Sequence, residues 1–170
     1  GINGMGRIGR MILRSIYEGN KKIEIKHINN RTNSETCSNL LKYDSIHGKF
    51  KADISYDEKN LIVNKNKISF GQETDLNKID WKKYGVDYVF ECTGKFNSKD
   101  KLIPHIDNGA KKVIVSAPCK GADKTIVFGV NEKELKKNDS IISAASCTTN
   151  CLAPVANVLN ENFQIEKGFM

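Results

Sequence analysis

The stretch Gly4-Met5-Gly6-Arg7-Ile8-Gly9 constrains the fold more than any other part of the chain, because it spells G-x-G-x-x-G where one periodicity gives way to another. Gly1-Ile2-Asn3 before it reads as the end of a strand. Ile8, Ile12 and Ile16 after it recur at helical spacing, with Gly19 as a stop. Ile23–Asn30 alternates apolar with polar residues and reads as the next strand. Strand, glycine turn, helix and strand is the context in which this motif holds a dinucleotide. The helix N-terminus offers unpaired N–H groups and a positive dipole end to a pyrophosphate. Gly4, Gly6 and Gly9 are therefore candidate cofactor-binding positions.

Further along, Lys51–Glu73 predicts two or three short strands between Asn- and Lys-rich turns, an antiparallel insertion. Val86–Gly94, Lys111–Pro118, Thr125–Asn131 and Ser140–Ser146 are apolar runs suited to buried strands. Ser98–Ala110 suits a short helix ended by Asn108-Gly109, with Pro104 in its first turns. The expected architecture is α/β: a Rossmann-type, doubly wound, mostly parallel sheet with a small antiparallel insertion. Its ligand belongs at the carboxyl ends of the strands. The length, 170 residues, suits about one domain.

A second concentration of chemistry lies at Ser143–Pro154, "SAASCTTNCLAP". Ser146 is placed to cap a helix whose apolar face is Leu152, Val155, Ala156 and Leu159, spaced i, i+3, i+4, i+7. Cys147 then falls in the first helical turn, where the dipole and free N–H groups favour a nucleophilic thiolate. The small residues before it leave room for a substrate carbon. Thr148, Thr149 and Asn150 bring hydroxyl and amide groups to a developing oxyanion or a substrate phosphate. Cys37, Cys92, Cys119 and Cys151 read instead as small core residues.

Five cysteines without framework spacing predict reduced thiols rather than disulfides. With no C-x-x-C pair and three dispersed histidines, a metal site is not expected. The net charge of +7 comes from lysines scattered as short pairs, such as Lys21-Lys22 and Lys111-Lys112, which suits a solvated surface better than a specific nucleic-acid interface. No apolar run reaches the ~18 residues of a membrane span, and no secretory leader is seen, so a cytoplasmic location is expected.

"GINGMGRIGR", "LLKYDSIHGKF", "ECTGKF", "GAKKVIVSAP" and "SAASCTTNCLAPVANVL" resemble, in that order and spacing, the amino-terminal half of the phosphorylating glyceraldehyde-3-phosphate dehydrogenases. The resemblance implies an NAD- or NADP-dependent dehydrogenase acting on glyceraldehyde 3-phosphate and inorganic phosphate, as a homotetramer. Cys147 would be the nucleophile, and Ser146 and Thr148 part of the substrate pocket. Arg7 and Ile8 would meet the pyrophosphate through backbone N–H groups, Thr93 and Gly94 would line the cofactor, and Ser116 would lie on its nicotinamide side. It also implies a dinucleotide-binding domain over residues 1–147 and the start of a catalytic domain at 148–170. The general-base histidine and most of that domain would lie beyond Met170, so the chain alone is expected to turn over little. His27, His47 and His105 are then structural.

Two positions depart from the family's usual wording. Where the fingerprint expects an acid for the ribose hydroxyls, the chain has Asn30, followed by Arg31 and Thr32. An uncharged Asn30 beside Arg31 predicts use of NADP as well as NAD, or a preference for NADP. Thr74 stands where relatives commonly carry an arginine beside the adenine. Two rival readings remain at this stage: erythrose-4-phosphate dehydrogenase, and a non-catalytic nucleotide- or RNA-binding module.

Overall fold

The computed structural model describes residues 1–19 and 22–169. In chain order the elements are β1 (Ile2–Asn3), α1 (Arg7–Glu18), β2 (His27–Asn29), α2 (Ser34–Lys42), β3 (Tyr43–Asp44), β4 (Gly48–Lys49), β5 (Ile54–Asp57), β6 (Asn60–Val63), β7 (Asn66–Gly71), β8 (Tyr88–Glu91), α3 (Lys99–Asp107), β9 (Lys112–Val115), β10 (Lys124–Thr125), β11 (Ile141–Ser143) and α4 (Cys147–Phe163). Nine strands form one sheet in the order β10-β11-β9-β8-β1-β2-β7-β6-β5, and β3 pairs with β4 in a separate hairpin.

From β10 to β7 every pairing is parallel, with Ile2 of β1 opposite Ile28 of β2 on one side and Phe90 of β8 on the other. The chain leaves β1 toward β2 and later returns to β1's other edge as β8. That reversal opens a crevice at the carboxyl ends of the strands. The expected antiparallel strands are present as β5, β6 and β7 and continue the main sheet: β7 pairs in parallel with β2, and β6 and β5 follow antiparallel to it and to each other. Leu61, Val63, Ile68 and Phe70 join the core around Ile2, Leu13 and Ile28, so extending the sheet buries them.

The α1 face turned to the sheet is Gly9, Leu13 and Ile16, whereas Ile8 is 49% exposed, so the expected stripe is rotated by one residue. Only His27–Asn29 of the expected strand Ile23–Asn30 has parallel partners, because β1 is itself short. Thr125–Asn131 is not a strand. The chain turns after Thr125, held by Asn131, whose Oδ1 accepts from Val127 N and whose Nδ2 donates to Thr125 O. Pro104 lies in the second turn of α3. Helix α2 was not foreseen; Asn33 caps it by accepting from Thr36 N at 2.9 Å, and Cys37 and Leu41 seat it on the core.

Buried polar side chains are placed as deliberately as the apolar ones. His27, 2% exposed, stacks on Tyr84 with ring centroids 3.8 Å apart and meets Trp81 edge-on. Its Nδ1 has no hydrogen-bond partner. Burial, with Lys83 adding, pushes its pKa down to about 4. The folded state therefore holds His27 neutral, while the unfolded chain takes up a proton near the usual value of about 6.5. Its contribution is complete above that value and is lost as pH falls toward 4. Unfolding free energy should drop by on the order of 3 kcal/mol across that window. Denaturant titrations at stepped pH should show this fall, and His27→Phe should flatten it.

Candidate functional site

Two open cavities lie at the carboxyl side of the sheet. The first, about 430 Å³, is lined by Asn3, Gly4 and Gly6 at the end of β1, Asn29–Thr32 after β2, Glu73 and Thr74 after β7, and Cys92 and Thr93 after β8, with Arg10 of α1. Gly4 has φ +97°, and a Cβ there would come within 2.9 Å of the backbone of Cys92 and Thr93. Its missing side chain lets the ends of β1 and β8 close on each other. Gly6 is the N-cap of α1 with no side-chain cap, so the first-turn N–H groups of Arg7, Ile8 and Gly9 start a helix whose end is left open for an anion. A Cβ on Gly6 would meet no protein atom within 4 Å; the free space there is the cavity's own. The uncapped helix end beside a neutral-to-basic cavity fits a dinucleotide pyrophosphate.

The cavity thus brings together Gly4, Gly6, Asn30, Arg31 and Thr93, with Arg7, Ile8 and Gly9 on the adjoining turn. Gly94 and Ser116 are not among its lining residues. Arg7 points its guanidinium away to Asp44 at 3.0 Å, tying the glycine turn to the β3–β4 hairpin. Hydrogen bonds from Ile46 N and His47 N, with Arg7 adding, hold the Asp44 carboxyl well below the usual carboxylate range.

Behind the cavity runs a buried polar chain that the sequence did not announce. Glu91, at the end of β8, is 1% exposed and receives Asn3 Nδ2 at 2.6 Å, His105 Nε2 at 3.1 Å, and Thr93 N at 2.8 Å, as well as the Thr93 hydroxyl. Trp81 Nε1 donates to His105 Nδ1 at 2.9 Å, so the ring proton lies on Nε2 and points at Glu91. Asn29 Nδ2 in turn donates to Asn3 Oδ1 at 2.8 Å and to Glu73 O at 2.9 Å. Two cavity-lining residues, Asn3 and Thr93, are thereby held by one carboxylate, and Asn29 and Glu73 are tied to it through Asn3. Glu91→Gln would set an NH₂ against donors that have no alternative acceptor. The expected cost is roughly 2 kcal/mol of stability, read by urea unfolding; a loss below a few tenths would mean the network is replaceable.

The second cavity, about 470 Å³, is lined by Asn97, Pro118, Cys119, Lys120, Thr125, Ala145, Ser146 and Thr149. Ser143 of β11 is fully buried and donates its hydroxyl to Ala117 O at 2.7 Å. Ala145 then adopts φ +60°, a left-handed conformation costly for alanine, which turns the chain out of the sheet. Ser146 caps α4 as expected, accepting from Thr149 N at 3.0 Å. The Thr148 and Thr149 hydroxyls lie 3.0 and 2.7 Å from Ser146 Oγ, and Asn150 Nδ2 binds Ala144 O and Ser146 O at 2.8 Å. Cys147 is the first residue of the helix and is exposed.

Cys37, Cys92 and Cys119 differ from it. Cys37 is fully buried, and burial pushes Cys92 up to about 12 and raises Cys119 as well. Cys151, read as a core residue, is exposed instead, because α4 lies off the sheet and none of its residues is buried. Its expected apolar face is likewise uncovered: Leu152, Val155 and Leu159 are 44–57% exposed. No group of three or more His, Cys, Asp or Glu residues among those described can hold a metal ion.

Comparison with known proteins agrees with this geometry. The model for the glyceraldehyde 3-phosphate dehydrogenase NAD-binding domain matches residues 1–99, and that for the C-terminal domain of the same enzymes matches residues 146–170. The chain belongs to the glyceraldehyde-3-phosphate dehydrogenase family. The glyceraldehyde-3-phosphate dehydrogenase of Thermotoga maritima is 49% identical over 170 residues, covering 99% of this chain and 51% of that protein. Glyceraldehyde-3-phosphate dehydrogenase 2 of Bacillus subtilis is 49% identical with 99% and 50% covered, and the Clostridium pasteurianum enzyme is 48% identical with the same coverage. The chain spans about half the length of the curated relatives it matches. In glyceraldehyde-3-phosphate dehydrogenase terms, the open α1 terminus lies in the NAD-binding match and Cys147 in the C-terminal match.

Proposed function

We propose that the protein is a phosphorylating, NAD- or NADP-dependent glyceraldehyde-3-phosphate dehydrogenase, cytoplasmic and homotetrameric, with residues 1–147 as its cofactor domain and 148–170 opening its catalytic domain. The observation that carries the reading is Cys147. It is an exposed thiol at the first position of a 17-residue helix, directly after a sheet that builds a dinucleotide cavity.

The chemistry follows from these residues. The Cys147 sulfur adds to the aldehyde carbon of glyceraldehyde 3-phosphate, forming a C–S bond, and the carbonyl oxygen takes a proton to give a thiohemiacetal. Helix N–H groups around Cys147 and the Ser146 and Thr148 hydroxyls stabilise the oxygen's developing charge. NAD or NADP, when bound, supplies the hydride acceptor. The thiohemiacetal loses hydride from carbon and a proton from oxygen, leaving a thioester on Cys147. An oxygen of inorganic phosphate then attacks the thioester carbonyl, the C–S bond breaks, and 1,3-bisphosphoglycerate leaves with the thiolate restored. Gly4, Gly6, Arg7, Ile8, Gly9, Asn30, Arg31, Thr93, Gly94 and Ser116 are assigned to the cofactor.

Alkylation tests the assignment. A limiting dose of iodoacetamide near neutral pH should label Cys147 first and leave Cys92, which burial keeps protonated, unlabelled. Glyceraldehyde 3-phosphate should protect Cys147. Peptide mass mapping that found Cys151 labelled first, or no protection, would contradict the role given to Cys147.

A further inference from the structure

Glu91 ends β8 behind the 430 Å³ cavity and is not among the residues that line it. It is 1% exposed, and among the described residues no lysine or arginine pairs with its carboxylate. Only donors meet it. Asn3 must present its NH₂, because its Oδ1 is taken by Asn29 Nδ2 at 2.8 Å; His105 must present Nε2–H, because Trp81 Nε1 occupies Nδ1. Thr93 brings both its N–H and its hydroxyl. A buried carboxylate without a cation is costly, whereas an amide in its place would bring hydrogens of its own to these donors. What the carboxylate fixes is direction: each of the four neighbouring donors has a single way to point.

Thr93 carries that direction into the cavity, whose wall it helps to form. Its methyl group sits against the glycine turn, 3.0 Å from where a Cβ on Gly4 would lie, and its hydroxyl hydrogen is held by Glu91 Oε1. The side chain is therefore fixed from both sides. Its hydroxyl oxygen accepts from Lys95 N at 3.2 Å and keeps a second lone pair. A free threonine hydroxyl can turn to donate or to accept; this one can only accept. At the α1 end of the same cavity the uncapped helix terminus offers N–H groups, which only donate.

We propose that Glu91 is a positioning residue for the dinucleotide, holding Thr93 Oγ1 as an acceptor for a ligand group that donates, an O–H or an N–H. The inference rests on the dinucleotide reading of the cavity and adds the residue that sets hydrogen-bond polarity along its β8 wall. The oxygens of an ionised pyrophosphate only accept, so they are satisfied at the α1 terminus and refused at Thr93, where a hydroxyl of the same ligand fits. The two ends together fix which part of the molecule lies where. Glu91 touches no ligand atom in this role; it acts through Thr93.

Calorimetric titration of the full-length protein with NAD tests this, with urea unfolding run on every variant. Thr93→Val keeps the shape and the methyl contact but removes the acceptor, and NAD should bind about tenfold more weakly. Thr93→Ser restores the hydroxyl and should recover most of that loss. Glu91→Met removes both carboxylate oxygens and frees the hydroxyl to turn; it should also weaken NAD about tenfold, and adding it to Thr93→Val should weaken NAD little further, since both act through one hydroxyl. Glu91→Asp keeps an acceptor within reach of the Thr93 N–H two residues on, as in an Asx turn, while drawing back from His105. It should unfold at lower urea than the wild type yet regain most of the affinity lost in Glu91→Met, a split that a purely structural glutamate would not give. Additive losses in the double variant, or affinities that simply follow stability, would overturn the positioning role while NAD binding stands. Wild-type affinity in Thr93→Val would overturn it whether or not the Glu91 variants fold. Wild-type protein that bound no NAD would instead overturn the dinucleotide reading itself.

Discussion

Cys147→Ser is expected to lower kcat by roughly 10⁴-fold or more, the scale seen when a covalent nucleophile is removed. Oxygen and sulfur are close in size, so the substitution leaves the α4 cap at Ser146 and the turn at Ala145 in place. What changes is the fraction of nucleophilic anion, since an alcohol is essentially never ionised near neutral pH while a thiol is to a few per cent or more. Cofactor affinity should hold, because Cys147 is not among the residues that line the dinucleotide cavity. A calorimetric titration beside steady-state rates separates the two. A residual rate within tenfold of the wild type would mean another group attacks the aldehyde.

The second large effect concerns the glycine turn. Gly9→Ala would place a Cβ 2.1 Å from Gly4 O and 3.3 Å from Ile2 Cγ2, against backbone that is itself fixed by β1. Helix α1 must then withdraw from the sheet, and the expected cost is roughly 3 kcal/mol or more. Gly6→Ala makes the contrast: no protein atom lies within 4 Å of its Cβ, so stability should hold. Its methyl group stands in the dinucleotide cavity, however, and NAD or NADP affinity should fall. Urea unfolding and cofactor titration on both variants distinguish a glycine the fold needs from one the ligand needs. Equal stability of the two would contradict the packing given for α1.

Much of the site was legible because its local signals are strong. G-x-G-x-x-G between a strand and a helix announces the α1 turn, and Ser146 followed by a period of 3.6 announces the α4 cap that puts Cys147 at a helix start. Signals that depend on distant partners were not readable. Ile8 and Ile16 are both apolar at helical spacing, yet only the sheet decides that Ile16 is buried and Ile8 is not. Helix α2 begins with Ser-Glu-Thr and has few apolar residues, so its evidence is the Asn33 cap and the burial of Cys37 and Leu41. Thr125–Asn131 has the composition of a strand, but Asn131 folds it back.

The same limit explains Glu91, His105 and Trp81. They come together across two elements and a loop, 10 to 24 residues apart, and no spacing rule links them. A glutamate closing an apolar run, directly before Cys-Thr-Gly, was the one available hint. Conversely, the apolar face read on α4 is present in the sequence and uncovered in the structure, since none of the described residues packs over it. Periodicity shows that a face exists; only tertiary contacts show what it meets.

The central claim is that Cys147 carries the substrate's acyl group. Its most direct test is mass spectrometry of the full-length protein mixed with glyceraldehyde 3-phosphate and NAD or NADP in the absence of inorganic phosphate. A 3-phosphoglyceroyl adduct should appear on Cys147, and addition of phosphate should discharge it as an acyl phosphate. An adduct on Cys151 or any other residue, or turnover with no acylated protein, would contradict the account.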